Sequence, residues 1–428
     1  MAKYKCGDLI PMAAGGNAKI IAELGEGGQG TVYKVEYQEH EYALKWYKKG
    51  GIRKPDQFYD NIKNNIDNPA QSKAFLWPLY LTEKYDDSFG YLMELRPKEY
   101  HDFSDFLLAK VHFKTIDACL NAALNIVDGF LDLHARGYSY QDLNDGNFFI
   151  NPNNGDVLIC DNDNVSENGE SQGIAGKMRY MAPEIVRGEC KPDLLTDRFS
   201  MAIVLFMIMF NDHPLDGKMT MVPCMTASKE KEVYGTDPVF IFDDQDRRNC
   251  PVAGVNVNAL MIWPYYPEYI KNTFKKAFSH AAMCNPDRPD RITERQWKKL
   301  LLQAKSDVFV CKCGEEHFYN HNSGCCPGCK KKYENTVKLC GYYDVLCYPG
   351  KYVYEFQLNG DKEDYKKPIG QVFSHPKEKS ILVLKNISDE KWIATIPDGR
   401  KVDVNPGTSV PIKAGLQLRI LGNDINVK

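Results

Sequence analysis

Alternating apolar and polar residues near the start of the chain predict β-strands. Lys19–Leu24 and Tyr33–Tyr37 alternate in this way on either side of a glycine-rich segment, and Glu41–Lys45 follows as a third run. Successive side chains of a strand point to opposite faces, so such runs become half-buried strands. Together with Phe75–Leu79 and Gly90–Leu95, they predict a five-stranded antiparallel sheet.

The pattern becomes helical after Ser104. Apolar residues in Ile116–Leu133 recur at the spacing of one helix face, and the segment ends at Gly137, a common helix stop. The apolar run Met201–Phe210 is too short to span a bilayer and predicts a buried helix. Strands followed by helices indicate a mixed α+β fold.

Short alternating runs return after Val337 and predict a small all-β sandwich or barrel. Turn signals such as Asp398-Gly399 separate these runs. The runs are Tyr352–Phe356, Ser380–Leu384, Lys391–Ile396 and Leu416–Leu421.

Composition and charge exclude several classes of protein. The 428 residues are 43% hydrophobic and 26% charged, as in ordinary globular proteins, and the net charge of −3 predicts no attraction to nucleic acid or anionic membranes. The first residues do not form a signal peptide, and nine of the fourteen cysteines lie scattered outside one cluster. These features predict a cytoplasmic protein with reduced thiols.

The clustered cysteines have the spacing of two metal-binding knuckles. Four thiolates complete a closed tetrahedral site for a structural Zn²⁺, so a zinc ribbon is predicted, with free cytosolic thiols as the alternative. The predicted ligands are Cys311, Cys313, Cys326 and Cys329, and the spare candidates are Cys325, His317 and His321.

The middle of the chain carries three oxygen-bearing side chains on two short turns. Asp142 is followed five residues later by Asn147, and a short apolar strand then ends at Asp161. Mg²⁺ takes oxygen ligands together with substrate phosphates, so Asn147 and Asp161 suit a metal–nucleotide site. Asp142 is then free to accept a proton from an attacking hydroxyl. An Asp- and Asn-rich surface turn is the alternative interpretation.

This stretch resembles the catalytic loop and metal-binding motif of eukaryotic-type protein kinases, His-Arg-Asp-(x)4-Asn followed by Asp-Phe-Gly. Asp142, Asn147 and Asp161 match the family's residues, whereas Tyr140 and Gln141 stand in the His and Arg places. The third residue of the metal-binding motif is Asp163 instead of glycine.

The glycine-rich segment agrees with the resemblance because a strand, rather than the helix of dinucleotide-binding folds, follows it. The resemblance implies that Lys45 binds the α- and β-phosphates of ATP beneath the glycine-rich loop. Met93 would guard the adenine pocket, whose hydrogen bonds come from the backbone of Glu94–Arg96. The remaining implied ATP contacts are Gly25, Glu26, Gly27, Gly28 and Gly30 around the phosphates, and Val32, Ala43 and Phe149 around the ring. Arg96 is the last residue of the segment whose backbone would bind the adenine.

Three later features resemble protein kinases rather than small-molecule kinases. Ala182-Pro-Glu184 ends a segment like the activation segment, and Asp197 heads an apolar helix from which it would brace the catalytic loop. Arg288 is the expected ion-pair partner of Glu184.

The chain departs from the family at two functional positions. The predicted helix near Pro55–Asp67 has no glutamate to hold Lys45, which leaves Asp60, Asn61 or Asn64 to approach it. Asn144 stands where the family has a lysine near the transferred phosphate, a change that removes electrostatic stabilisation.

Gln141 removes the arginine that a phosphorylated activation loop would contact, and the loop offers only Ser166 and Ser171 as hydroxyl candidates. We therefore expect an ATP- and Mg²⁺-dependent Ser/Thr protein kinase whose activity does not require activation-loop phosphorylation. The alternative is an ATP-binding pseudokinase that docks partners through its zinc ribbon and β domain.

The expected architecture is a bilobal kinase-like fold followed by the zinc ribbon and the β domain. The predicted divisions are 1–96 for the N-lobe, 97–305 for the C-lobe, 306–335 for the ribbon and 336–428 for the β domain. In this arrangement the chain resembles bacterial eukaryotic-like kinases found alongside a PP2C-type phosphatase and a von Willebrand A protein. The resemblance implies a protein substrate or such regulatory partners.

Overall fold

The chain divides into two compact units in the computed structural model. Unit 1 comprises Met1–Lys114, Asn121–Met261 and Thr273–Glu294, and unit 2 comprises Thr115–Leu120, Ile262–Asn272 and Arg295–Lys428. The residues that the structure describes are 4–52, 54–85, 88–170, 176–288, 291–319, 324–362 and 364–428.

Unit 1 begins with a six-stranded antiparallel sheet in the order β1-β2-β3-β4-β6-β5. One more strand is present than the alternation predicts, because residues of the N-terminal lead-in pair with Asn17–Lys19. The elements are β1 (Leu9–Pro11), β2 (Asn17–Glu26), β3 (Gly30–Tyr37), β4 (His40–Tyr47), α1 (Pro55–Asp67), β5 (Tyr80–Leu81) and β6 (Gly90–Glu94).

The prediction of a strand over Phe75–Leu79 is wrong for that segment. Phe75 forms only an isolated bridge with Ile159, and the strand that pairs with β6 is Tyr80–Leu81. The side chains of Phe75, Leu76 and Trp77 are all buried. Consecutive buried residues do not alternate between two faces, so this segment is packed in the core without belonging to a ladder.

Helix α1 starts at a proline, which suits the first turn because its missing N–H has no intrahelical partner there. Phe58 and Ile62 lie four residues apart and are buried against the sheet, in a core that also contains Ala43, Tyr91 and Met93. This packing places α1 beside the strand that carries Lys45.

The rest of unit 1 is mainly helical. Met201–Phe210 forms the C-terminal part of α5, and every side chain in that run is buried, as predicted. Among the residues described, no helix combines the length and apolar character needed to cross a membrane. The elements are β7 (His101–Asp102), α2 (Phe103–Leu107), α3 (Ile116–Ala135), β8 (Tyr138–Ser139), β9 (Phe148–Ile150), β10 (Val157–Ile159), β11 (Ser166–Glu167), α4 (Pro183–Arg187), α5 (Leu194–Phe210), α6 (Ala227–Lys231), α7 (Val257–Ile262), α8 (Glu268–Ala277) and α9 (His280–Cys284). Residues 116–120 of α3, 262 of α7 and 268–272 of α8 belong to unit 2, as does α10 (Glu294–Asp307) from residue 295 onward.

Unit 2 contains a short hairpin and two antiparallel sheets. The hairpin joins β12 (Val308–Val310) to β13 (Glu316–Phe318). The other elements are β14 (Val337–Cys340), β15 (Asp344–Cys347), β16 (Tyr352–Tyr354), α11 (Glu355–Asn359), β17 (Pro368–Ser374), β18 (Leu382–Asn386), β19 (Trp392–Thr395), β20 (Lys401–Val404), β21 (Ser409–Ile412), β22 (Gln417–Ile420) and β23 (Asn423–Val427).

The two sheets have the orders β15-β14-β23-β22-β19-β20 and β16-β17-β18-β21. Leu384 of the smaller sheet and Trp392 and Leu418 of the larger one are fully buried in a single hydrophobic cluster. The predicted C-terminal β domain is therefore present as sheets. The run Tyr352–Phe356 is only partly a strand, because Phe356 lies in α11.

Candidate functional site

The segment between β8 and β9 folds around amide side chains. The Asn147 side chain donates to the backbone carbonyl of Asp142 at 2.7 Å, and the Asn144 side chain donates to one carboxylate oxygen of Asp142 at 3.2 Å. Asn144 also accepts from the Gly146 amide at 3.0 Å and so caps the short 3₁₀ turn that carries Asn147. These bonds hold Asp142 and Asn147 side by side.

Asp161 comes beside Asn147 because β9 and β10 pair and the pairing continues beyond their ends. The amide of Cys160 donates to the carbonyl of Asn147 at 2.9 Å. Asp161 then adopts a left-handed conformation with φ of 56°, an uncommon geometry that Asp and Asn tolerate better than most residues. Its side chain remains 37% exposed, so a carboxylate oxygen is available to a ligand.

Burial raises the pKa of the Asp142 carboxyl to about 6, and the charges of Asp161 and Asp163 act in the same direction. A general base is most effective when its pKa is close to the working pH. The position of Asp142 therefore suits proton acceptance at neutral pH.

Lys45 reaches the same place from β4. Its ammonium lies 3.1 Å from a carboxylate oxygen of Asp161 and 2.7 Å from one of Asp163. Burial alone would lower the pKa of Lys45, but the two carboxylates outweigh burial and raise it. Lys45, Asp142, Asn147 and Asp161, which span more than a hundred residues of sequence, are thus brought together.

The expected approach of Asp60, Asn61 or Asn64 to Lys45 is replaced by the contact with Asp163. Asn61 instead donates to the backbone carbonyls of Asp163 at 3.2 Å and Val165 at 2.9 Å. An Asp in place of the family's glycine was visible in the sequence. Only the fold shows that its side chain turns toward Lys45.

The glycine-rich loop is a hairpin between β2 and β3, closed by a bond of 2.8 Å from the Gly27 amide to the Gly30 carbonyl. Gly30 is required by close packing, because a Cβ there would lie 2.4 Å from the carbonyl oxygen of Trp46. A Cβ on Gly25 or Gly28 would meet nothing within 4 Å, which leaves space beside the loop for a ligand. Lys48 pairs with the Glu26 carboxylate at 2.7 Å.

The residues predicted to surround an adenine ring also come together. Ala43 pairs with Met93 across β4 and β6, and both are buried in a cluster against which Val32 and Phe149 pack. The Arg96 guanidinium lies 4.3 Å from the centre of the Phe149 ring and pairs with Asp102 at 3.1 Å. Glu94 ends β6 with an exposed side chain.

The activation-like segment starts beside Gln141. The Gln141 amide donates to the Ser166 hydroxyl, and to the Glu170 carbonyl at 2.6 Å. Neutral hydrogen bonds therefore occupy the position where the family's arginine would contact a phosphate. Further along, Gly176 approaches the catalytic loop so closely that a Cβ would lie 2.9 Å from an Asp142 carboxylate oxygen. Ser171 lies outside the described residues.

Asp197 supports the catalytic loop from α5, as the resemblance implied. It accepts from the backbone amides of Tyr140 at 2.6 Å and Gln141 at 3.0 Å. His134 lies between Asp197 at 3.2 Å and Glu294 at 2.8 Å. Burial alone would lower the pKa of His134, but hydrogen bonds to the two carboxylates raise it to about 9. The sequence indicated only that His134 ends a helix.

Glu184 forms an ion pair with the predicted partner, Arg288, but a second arginine lies closer to it. Arg291 forms the close pair, with one guanidinium nitrogen at 2.7 and 2.9 Å from the two carboxylate oxygens, and both side chains are buried. Arg288 lies farther from Glu184, at 3.6 Å, and binds Asp193 at 2.9 Å. Both arginines follow the same turn, and Pro289 between them lies outside the described residues. Sequence spacing alone does not separate them.

The ligand atoms of Cys311, Cys313, Cys326 and Cys329 all lie within 4.8 Å of one another. The Cys311–Cys329 and Cys313–Cys326 sulfur distances are 3.7 and 3.8 Å. A tetrahedral Zn²⁺ with bonds of ~2.3 Å places its sulfurs ~3.8 Å apart, so the cluster fits such an ion. Of the spare candidates, His317 forms a hydrogen bond with the Tyr333 hydroxyl at 2.8 Å, and His321 lies outside the described residues.

A strand lysine, an Asp–Asn loop and a further Asp, gathered next to the strand that follows a glycine-rich hairpin, form the arrangement expected of a protein kinase. The sequence model of the protein kinase domain matches residues 18–299, and the chain belongs to this family. The matched relatives include Ser/Thr protein kinases, in agreement with the predicted class.

Three relatives show the breadth of the match. Protein kinase C delta type from Mus musculus is 26% identical over 45% of this chain and 29% of its own length. Serine/threonine-protein kinase AtPK1/AtPK6 from Arabidopsis thaliana is 27% identical over 46% of this chain and 43% of its own. Protein kinase YegI from Escherichia coli (strain K12) is 22% identical over 50% and 32%. The chain thus spans less than half the length of each of these relatives.

Proposed function

We propose that the chain is an ATP- and Mg²⁺-dependent kinase that transfers the γ-phosphate to Ser or Thr hydroxyls of proteins. The observation that carries the proposal is the convergence of Lys45, Asp142, Asn147 and Asp161 at one site. Phosphotransfer depends on positioning and electrostatic stabilisation more than on covalent help from the protein, and these four groups supply both.

Each group has a distinct role in the proposed transfer. The Asp142 carboxylate accepts the proton of the substrate hydroxyl. The oxygen of that hydroxyl forms a bond to the γ-phosphorus, and the bond between the γ-phosphorus and the ADP oxygen breaks. Lys45 binds the nucleotide phosphates from β4. The glycine-rich hairpin covers them with backbone amides that no side chain obstructs.

The residues present fit Mg²⁺. Asp161 offers a partly exposed carboxylate. Asn147 uses its side-chain nitrogen to bind the Asp142 carbonyl, which leaves its side-chain oxygen for a cation. Both are hard oxygen donors, and Mg²⁺ commonly binds one or two such protein groups together with substrate phosphates, whose charge it neutralises. We assign Asn147 and Asp161 as the Mg²⁺ ligands.

The activity is proposed to be independent of activation-loop phosphorylation. Gln141 is already held by the hydroxyl of Ser166 and the carbonyl of Glu170. The side chain of Gln141 is neutral, so it cannot form the bidentate ion pair by which an arginine would bind a phosphate on this loop. Enzyme treated with a phosphatase should therefore remain active.

The zinc ribbon and the β domain are proposed to dock partners. The four-cysteine cluster forms a closed site that would stabilise a small hairpin, and a closed site leaves no position for catalysis. The proposed occupants are a protein substrate or regulatory proteins, among them a PP2C-type phosphatase and a von Willebrand A protein. Location in the cytoplasm and the four-part division of the chain remain predictions.

The test is incubation of the pure protein with labelled ATP, Mg²⁺ and a Ser/Thr-containing protein acceptor. Wild-type protein should transfer label, and Asp142→Asn and Asp161→Ala should reduce transfer to background. Equal label with all three proteins would refute the assignment. ATP binding without transfer by the wild type would favour the pseudokinase, a possibility that Asn144 in place of a lysine supports.

A further inference from the structure

Lys45 is an ammonium group inside the protein, and its environment must compensate its charge. Its side chain is only 7% exposed, and the Asp163 side chain is 0% exposed. A buried charge without a partner is strongly destabilising, whereas a paired and hydrogen-bonded one is tolerated. The 2.7 Å contact between the Lys45 ammonium and Asp163 is closer than the 3.1 Å contact with Asp161.

Asp163 is itself fixed from a second side. The Tyr47 hydroxyl, two residues after Lys45 on β4, donates to the same carboxylate oxygen that binds the ammonium. Side chains two residues apart on a strand lie on the same face, so Lys45 and Tyr47 approach Asp163 together. The carboxylate can therefore hold Lys45 in one orientation.

Helix α1 acts on the segment around Asp163 rather than on Lys45. Asn61 donates to the carbonyls of Asp163 and Val165, and Asn65 donates to that of Val165 at 3.1 Å. These amides anchor the backbone that carries the carboxylate. The helix supplies hydrogen bonds where the family's helix supplies a charged side chain.

We propose that Asp163 is the positioning residue for Lys45, in the place of the glutamate that the helix lacks. The inference rests on the proposed kinase function. Asp163 and the metal ligand Asp161 belong to one short turn, so the two groups that orient the lysine and the cation move as a unit. The position of the Lys45 ammonium then depends on this turn, because its ion pairs are made with Asp161 and Asp163 rather than with a carboxylate of α1.

Two substitutions remove the negative charge of Asp163. Asp163→Asn keeps an oxygen that accepts from Lys45 and Tyr47. The amide nitrogen of the asparagine takes the place of the second carboxylate oxygen, Oδ1. That oxygen has no hydrogen-bond partner among the described residues. Asp163→Gly restores the family's residue. We expect each to lower kcat/KM for ATP by about 10²-fold, the order expected when a reacting group is misplaced by ~1 Å.

The decisive variant moves the carboxylate to the helix. Asn61 contacts the Asp163 backbone, and a glutamate there is one methylene longer than asparagine. We expect Asn61→Glu combined with Asp163→Gly to regain at least about tenfold of the kcat/KM lost in Asp163→Gly, since a charge of one unit is again available to the ammonium. Asn61→Glu alone is the matched control. A structural role for Asp163 predicts no rescue.

Failure of this inference is distinguishable from failure of the kinase assignment. If the wild type transfers phosphate and Asp163→Asn keeps the same kcat and KM, or if relocation gives no rescue, the positioning role is refuted while the kinase function stands. If the wild type does not transfer phosphate, the dissociation constant for Mg·ATP decides. Weaker binding by Asp163→Asn at an unchanged melting temperature supports the role of Asp163, and equal binding overturns it.

Discussion

A protonated histidine beneath the catalytic loop should make the stability of unit 1 depend on pH. His134 contacts two buried carboxylates, those of Asp197 and Glu294, and Asp197 in turn holds the backbone amides of Tyr140 and Gln141. The imidazolium therefore compensates charges that support the catalytic loop. The perturbation we consider is His134→Gln, which keeps hydrogen-bonding groups but removes the positive charge.

The magnitude follows from linkage. The pKa of His134 rises from 6.5 to about 9 on folding, so the folded state binds the proton more tightly than the unfolded state. The stabilisation is complete below pH ~6.5 and is lost as the pH rises through ~9. At ~1.4 kcal/mol per pKa unit it amounts to about 3 kcal/mol at pH 6, about 1 kcal/mol at pH 8 and almost nothing at pH 10.

The assay is the melting temperature of wild type and His134→Gln between pH 6 and pH 10, recorded for the transition that abolishes Mg·ATP binding. We expect the wild type to melt higher at pH 6 and the difference to shrink steadily between pH 6.5 and pH 9. Any constant destabilisation caused by the glutamine leaves this slope unchanged. A difference that stays flat from pH 6 to pH 10 would refute the argument that His134 is protonated in the folded protein.

Three further predictions concern the buried arginine, the cysteine cluster and the activation loop. Arg291→Met should destabilise unit 1 by about 3–5 kcal/mol because it removes the close, buried partner of the Glu184 carboxylate and leaves the more distant Arg288, at 3.6 Å. The more exposed Arg288→Met should cost about 1 kcal/mol, and equal melting temperatures would contradict the assignment. Metal analysis should find one zinc per chain and under half of that in Cys326→Ser; a metal-free wild type would exclude the ribbon. Ser166→Ala should keep activity within about threefold of wild type, since it removes hydrogen bonds but no phosphorylation that activity needs; a complete loss would show that the hydroxyl is modified or essential.

The sequence was sufficient for the features whose information is local. The Asp142–Asn147 spacing, the glycine-rich segment before Lys45 and the two cysteine knuckles predicted groups that the fold does bring together. Alternation also predicted the C-terminal sheets, because the apolar–polar period of a strand can be recognised within a few neighbouring residues. The family follows from these motifs in their order along the chain.

The tertiary structure alone decided which of several similar groups becomes the partner. Lys45 had candidate partners on α1, yet the carboxylate of Asp163 binds it. Glu184 had a predicted partner in Arg288, yet Arg291 forms the buried pair. A short-range pattern limits which residue types are available, but the choice among them depends on burial and distances of a few ångströms. Those distances are set by how strands and helices pack across a hundred residues of chain.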